Sequence, residues 1–246
     1  MDDALRELER RWRASAAPED EAAWLRARVR AGKLDPWRLE LAAACGHPAL
    51  GGDESPPLAF ERWLERLPFA GRRGRLRQEW VRVLLALARA LEPLAARLGS
   101  GEWVSPALRL AERSALRLGD EPEVLAAARE RLGLLAHELH PYTWETMSPA
   151  AAIVRLAAAP LEFLLAQREG DARREVATVA DQARHALEPE GVWRVEPGLD
   201  EAVEALFPRA EGRLWGLRRA IARELVAWAL GREDPLRVRP PGAGDG

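Results

Sequence analysis

Apolar residues recur along most of this chain at the three- and four-residue steps of an α-helix. The clearest case lies between Arg75 and Leu98, where leucine, valine and tryptophan form an unusually wide stripe. Its members are Leu76, Trp80, Leu84, Leu87, Leu91, Leu94 and Leu98, with Val81, Val83 and Leu85 beside them. A stripe of that width predicts a helix that other helices surround. No segment alternates apolar and polar residues with the two-residue period of a strand.

Prolines and glycines mark where the predicted helices begin and end. First-turn prolines are favoured because that position has no backbone hydrogen bond to lose, and four fit this role: Pro18, Pro36, Pro122 and Pro149. Glycines that can end a helix stand at Gly32, Gly46 and Gly231. Ser105 followed by Pro106 predicts one more helix start. The pattern therefore predicts an all-α protein of about ten helices without a sheet, either an irregular bundle or a short repeat-like array.

The segment GGDESPP, residues 51–57, is the strongest linker signal in the chain. It predicts a small N-terminal helical subdomain over residues 1–55 and a main helical bundle over residues 56–231. The last stretch, residues 232–246, is rich in proline and glycine, and we expect a disordered tail there.

Composition narrows the function classes. Hydrophobic residues make up 48% of the chain and charged residues 31%, which is typical of a folded protein. A net charge of -2 gives no overall electrostatic reason to bind nucleic acid or an anionic membrane. The N-terminus lacks the apolar core of a signal peptide, and no apolar run is long enough to span a bilayer. We therefore expect a cytoplasmic protein that binds neither nucleic acid nor membrane.

His137, Glu138 and His140 form the local cluster that most resembles a catalytic site. A zinc protease needs histidines four residues apart on one helix face, and the spacing here is three. A metal-dependent hydrolase with a three-histidine site, using His185 or His47 as the third ligand, remains an alternative. However, His137 and His185 fall opposite the apolar stripes of their helices, which favours solvated histidines. We therefore expect no metal, no other cofactor and no enzymatic activity.

Cys45 is the only cysteine and stands two residues before His47. A thiol beside a base can act as a nucleophile. Cys45 nevertheless continues the apolar face of Trp37 and Leu41, which favours a small buried hydrophobe. His47, between a glycine and a proline, is interpreted as a turn residue.

Aromatic residues and carboxylates concentrate in three predicted loops, residues 99–104, 141–147 and 188–198. If successive helices run antiparallel, these loops emerge at one end of the bundle, because the intervening connections are tight turns. Together they would make an acidic, aromatic docking surface. The alternative is that the aromatic side chains fold back and close the end of the bundle. The candidate partner-binding residues are Glu102, Trp103, Tyr142, Trp144, Glu145, Glu188, Glu190 and Trp193.

Two stretches carry a resemblance to known proteins. The segment EDEAAWLRARVRAGKLDPWRLELAAACGHPAL is similar to a helical hairpin of many bacterial proteins. The W-V-R helix, followed by ALRLAERSALRL and alanine-rich helices, resembles helical immunity proteins of bacterial polymorphic-toxin systems. This resemblance implies no catalytic residues; it implies a protein that binds and neutralises a toxin. We therefore expect a non-enzymatic protein-binding protein, with a basic toxin such as a nuclease as partner, and a helical adaptor as a further alternative.

Overall fold

The computed structural model describes residues 2–51, 60–67, 76–115, 122–139, 148–165, 172–188 and 198–231. Within these ranges the chain forms eleven α-helices and two short 3-10 turns, at Pro48–Leu50 and Arg209–Glu211, and no strand. The predicted all-α fold class is confirmed. The helices are α1 (Asp2–Ser15), α2 (Pro18–Arg30), α3 (Pro36–Ala44), α4 (Phe60–Arg66), α5 (Leu76–Arg97), α6 (Gly101–Ala115), α7 (Pro122–Glu138), α8 (Pro149–Leu165), α9 (Ala172–Leu187), α10 (Leu199–Leu206) and α11 (Arg213–Ala229).

The chain divides into two compact units. The first unit comprises Met1–Pro57, Arg66–Pro68 and Ala222–Gly246, and the second unit comprises Leu58–Glu65 and Phe69–Ile221. Helix α11 contributes its first half to the second unit and its second half to the first. The predicted division into a subdomain over residues 1–55 and a bundle over residues 56–231 stays a prediction, and the predicted tail lies outside the described residues.

The core of the second unit is built on two helices, α5 and α8. Helix α5 buries nearly every apolar side chain from Trp80 to Ala95 and packs against α6, α8 and α10. Helix α8 is buried along almost all of Pro149–Leu161 and packs against α5, α6, α7 and α9. Its many alanines let these neighbours approach closely. The prediction that α5 is buried among other helices is confirmed, but α8 shares the central position. The sequence pattern did not indicate this because the small side chains of α8 give a weaker periodic signal.

Two polar contacts fix the alignment of α5 and α6. Arg89 Nε donates to Glu112 Oε1 over 2.5 Å, and the two side chains are only 11% and 8% exposed. Nearer the connection, Ser105 Oγ donates to Glu92 Oε1 over 2.6 Å. Arg89, earlier in α5, pairs with Glu112, later in α6, whereas Glu92, later in α5, pairs with Ser105, earlier in α6. The two helices therefore run antiparallel.

In the first unit, α1 packs on α2, and α2 packs on the 3-10 turn that follows α3. Helices α2 and α3 end as predicted at Gly32 and Gly46, which have the left-handed φ values of 68° and 82°. The next residue then donates its N–H back into the helix, Lys33 to Arg28 O over 2.9 Å and His47 to Ala42 O over 3.0 Å.

Four helix starts are confirmed, at the prolines that open α2, α3, α7 and α8. Asp35 occupies the capping position before α3, but its side chain makes no capping hydrogen bond. Ser148 does cap α8: its Oγ accepts from Ala151 N over 3.1 Å and donates to Leu139 O over 2.7 Å. That second bond holds the end of α7 against the start of α8.

Candidate functional site

Glu102 and Trp103 lie in the first turn of α6 and not in a loop. The helix begins at Gly101, so the predicted start at Ser105–Pro106 is wrong, and Pro106 lies inside the helix. The cause is a tight turn after α5, in which Gly99 takes a φ of 71° and Ser100 N donates to Ala95 O over 3.0 Å. The Ser100 carbonyl then accepts from Val104 N over 3.0 Å and starts the next helix at once.

Gly101 is required in this turn because the two helices approach closely. A Cβ atom placed on Gly101 would lie 2.9 Å from Ala96 Cα, a distance that real Cβ atoms do not show. The absence of a side chain at this position therefore sets where α6 starts. It also sets where Trp103 is presented.

The indole of Trp103 is half-buried and carries a guanidinium group over its face. The central carbon of Arg131, on α7, lies 3.3 Å from the ring centroid. Leu134, one turn further along α7, is 61% exposed, and Glu102 is exposed beside the tryptophan. We call Glu102, Trp103, Arg131 and Leu134 the Trp103 patch. The contact between Trp103 and Arg131 joins the first turn of α6 to the C-terminal half of α7.

The other predicted partner-binding residues are only partly described. Glu188 is exposed at the end of α9. Tyr142, Trp144, Glu145, Glu190 and Trp193 lie outside the described residues. The acidic end formed by three loops therefore stays a prediction.

The three histidines that the structure describes occupy different environments. His137 is exposed on α7, and His140 lies outside the described residues. His185 is half-buried, and its Nδ1 lies 2.8 Å from the carbonyl oxygen of Asp181 in the preceding turn. Within the described ranges, no three His, Cys, Asp or Glu side chains are grouped so that they could hold a metal ion.

His47 lies in a turn, as predicted, at the start of the 3-10 segment Pro48–Leu50, but its side chain is buried. Its imidazole is only 6% exposed, and its Nε2 lies 3.4 Å from Glu21 Oε1 on α2. The turn at Gly46 directs the chain back over α3 and so carries the ring inward. Burial lowers the pKa of His47 below its ordinary value. Cys45, expected to be buried, is half-buried at the end of α3.

Two tryptophans of the first unit line a pocket that the sequence pattern did not indicate. The rings of Trp12 and Trp24 stack with centroids 4.6 Å apart and planes 14° apart. They line a pocket of about 510 Å³, together with residues of α1, α2 and the turn at Leu230 and Gly231. We call this the tryptophan pocket.

Cationic side chains dominate the rim of the tryptophan pocket. Among the described residues, four cations, Arg6, Arg13, Arg28 and Lys33, line it against one carboxylate, that of Glu9. Arg28 is held in place because its Nη1 donates to Leu230 O over 2.7 Å while its guanidinium carbon lies 4.9 Å from the Trp24 ring centroid. Burial lowers the pKa of Arg28, and Glu9 opposes that change. The group stays charged because the ordinary pKa of arginine is so high.

The helical spacing of the apolar residues around Trp12, Trp215 and Trp228 predicts that these three tryptophans lie in the core. That prediction is wrong, because each of them is half-exposed. For Trp12, one signal could have revealed this. Helix α1 offers only Leu5, Leu8 and Trp12 as large apolar residues among fourteen, which is too narrow a face to enclose an indole.

Comparison with protein-family models, curated proteins and solved structures finds no match for this chain. Among the described helices, none combines the length and apolar character needed to cross a membrane. Function must therefore be inferred from the residues themselves.

Proposed function

We propose that this protein acts by binding another protein, and that the Trp103 patch is part of its contact surface. The observation that carries the proposal is the arrangement of an indole, a stacked guanidinium and an exposed leucine on two neighbouring helices. Tryptophan and arginine are the side chains that most often supply the energetic centre of a protein interface. Leu134 is the most exposed of the three large hydrophobic side chains that stand out in the described residues.

The energetics of the Trp103 patch suit an anchor. An exposed cation–π pair is worth about 0.5–1 kcal/mol, so Arg131 and Trp103 hold each other in one geometry before any partner arrives. Less side-chain entropy is then lost on binding. Burying the exposed part of Leu134 adds about 1–2 kcal/mol, scaled from the value for a whole leucine. An interface of ordinary size needs roughly 800 Å² per partner, so neighbouring parts of α6 and α7 must contribute as well.

The charge around the Trp103 patch favours a basic partner. Helix α7 and the first turn of α6 expose four carboxylates, Glu102, Glu123, Glu130 and Glu138, and two arginines, Arg129 and Arg131; Arg97, at the end of α5, adds a third exposed arginine. Carboxylates arranged in this way attract a basic surface and speed its association. In its most specific form the proposal is an immunity protein that neutralises a basic bacterial toxin, and the resemblance of the α5–α8 sequence to such proteins supports it.

The test compares two exposed leucines of the second unit. Tagged wild-type protein captures partners from the native host, and each candidate is then purified and its binding kinetics measured at low and high salt. Leu134→Glu should weaken binding by about tenfold or more, because it places a charge in the apolar anchor. Leu206→Glu, at a leucine on α10 that is 42% exposed, should leave binding unchanged.

Equal affinity of both variants and the wild type would contradict the role of the Trp103 patch. For the immunity role, the partner should inhibit bacterial growth when expressed alone. Co-expression of wild type, but not of Leu134→Glu, should relieve that inhibition. A partner without toxicity would replace immunity with the role of a helical adaptor.

A further inference from the structure

We infer that the tryptophan pocket of the first unit binds a small ligand that joins a planar aromatic ring to a phosphate group, which is the chemistry of a nucleoside phosphate. This site is separate from the Trp103 patch and does not depend on the proposed protein binding. The inference rests on three features of the pocket: its size, its stacked indoles and its positive charge.

The size of the tryptophan pocket fits a small molecule. Its volume of about 510 Å³ lies within the range of roughly 300–1,000 Å³ that is typical of ligand pockets. The planes of the Trp12 and Trp24 rings lie 14° from parallel. Trp24 is only 8% exposed and already contacts Trp12 and the Arg28 guanidinium, so a planar ligand ring would extend the stack from the half-exposed Trp12. Nucleobases stack on indoles in this way without needing base-specific hydrogen bonds.

The positive charge of the pocket is local. The whole chain has a net charge of -2, yet among the residues that the structure describes, four cations and one carboxylate line this pocket. That carboxylate, Glu9, already accepts from Arg13 Nη2 over 2.6 Å. Arg6 is exposed and lies 3.8 Å from the exposed Asp3, which is a weak pair. An anion entering the pocket would therefore meet excess positive charge.

Backbone contacts of the first unit hold Arg28 and Lys33 in position at the pocket. The carbonyl oxygen of Leu230 fixes the Arg28 guanidinium from one side, and that planar fork matches the geometry of phosphate oxygens. The left-handed turn at Gly32 folds Lys33 back so that its N–H bonds the carbonyl of Arg28. Both cations thus lie beside the stacked rings, which joins anion binding to ring stacking in one pocket.

The experiment separates the ring from the phosphate. Adenosine monophosphate, adenosine diphosphate, adenosine, pyrophosphate and a tetradeoxyadenylate strand are titrated into the full chain by calorimetry. We expect the two nucleotides to bind saturably at one site, each about tenfold or more tighter than adenosine or pyrophosphate, since only they use both features. The indole N–H signals of Trp12 and Trp24 in NMR spectra, assigned with Trp→Phe variants, should shift. If the tetradeoxyadenylate binds more tightly than the mononucleotides, the phosphate source is single-stranded nucleic acid; otherwise it is the free nucleotide.

A charge-reversal pair supplies the matched control. Arg6→Glu with Lys33→Glu places two negative charges at the rim of the pocket and should weaken nucleotide binding about tenfold. Arg26→Glu with Arg30→Glu makes the same charge change on exposed arginines of α2 that do not line the pocket, and should change affinity less than about twofold. If the first pair fails to fold, Lys33→Gln alone keeps the test, with an expected loss of about threefold.

Several results would overturn the inference. Pyrophosphate that binds as tightly as adenosine diphosphate would mean that the rings play no part. Adenosine that binds as tightly as its phosphates would mean that the cations play no part. Equal weakening by the two charge-reversal pairs, or no saturable binding below about 1 mM, would show that the pocket is not a site for this ligand class.

Discussion

Removing the carboxylate of Glu112 should destabilise the second unit far more than removing a surface charge. Arg89 and Glu112 are 11% and 8% exposed and joined over 2.5 Å, so both charges have left most of their water. Glu112→Leu leaves the guanidinium of Arg89 buried without this carboxylate, which costs about 3–5 kcal/mol. Glu112→Leu combined with Arg89→Met removes both charges and keeps similar volume, so the double variant should lie within about 1 kcal/mol of wild type or be more stable. Arg89→Met alone leaves the Glu112 carboxylate buried without this guanidinium and should cost a similar amount, so the implied coupling energy is at least about 5 kcal/mol.

Urea denaturation of wild type, both single variants and the double variant measures this coupling. The transitions are followed by far-UV circular dichroism and by tryptophan fluorescence. Where the two coincide, one free energy of unfolding is assigned to each variant. The control is Arg184→Met, since Arg184 and Asp181 are 3.6 Å apart and about half-exposed; it should cost less than about 0.5 kcal/mol. A loss below about 1 kcal/mol for Glu112→Leu, or a double variant equal to the sum of the singles, would refute the reasoning.

Two further predictions concern a pair of glycines and a buried histidine. Gly101→Ala should destabilise the protein by about 1–3 kcal/mol, because the new Cβ would lie 2.9 Å from Ala96 Cα. Gly133→Ala, at a position in α7 with no atom near the new Cβ, should stabilise it by about 0.5–1 kcal/mol. Urea denaturation of both variants checks this, and equal changes in the free energy of unfolding would contradict it. Burial holds the pKa of His47 below its ordinary 6.5. Between these two pKa values the unfolded chain binds a proton that the folded chain does not. The free energy of unfolding should therefore fall as the pH drops from 7.5 through 6.5 towards the folded-state pKa. His47→Gln should flatten that slope between pH 7.5 and 5.5, and an unchanged slope would mean that other groups cause it.

Helix class and many helix ends could be predicted because their causes are local. A glycine that takes a left-handed φ, as Gly32 and Gly46 do, ends a helix almost regardless of what packs on it. A first-turn proline is equally local. Pro106 shows the limit: the turn at Gly99 starts α6 five residues earlier than the proline suggests, because the preceding helix and not the proline sets the start.

Other features depend on contacts between distant residues. Helix α8 shares the centre of the second unit because its alanines admit four neighbouring helices, and small side chains give little periodic signal. Helix α10 is only eight residues long, and the sequence pattern predicts no element there. Trp103 could be proposed for binding from its residue type, but the loop position predicted for it was wrong and its arginine partner could not be predicted.

The tryptophan pocket was missed for the same reason. It brings Trp12 and Trp24 together with Leu230, and the hydrogen bond from Arg28 to that residue spans 202 positions of sequence. No periodicity within a helix indicates a pairing over that distance. Only the three-dimensional structure shows that a stripe read as core forms the wall of a pocket.

The first unit is discontinuous in sequence, since the second unit is inserted between its two main parts. During translation, α1 and α2 leave the ribosome long before Leu230 is made. Domains that are contiguous in sequence can fold as they emerge, but this unit must keep an unfinished hairpin until the second unit has been synthesised. Through most of its synthesis the nascent chain therefore carries the indoles of Trp12 and Trp24, and an Arg28 guanidinium without its final hydrogen-bond acceptor. Chaperones or proteases that recognise exposed aromatic surface would therefore distinguish a chain whose synthesis stops before Leu230 from a chain that contains it.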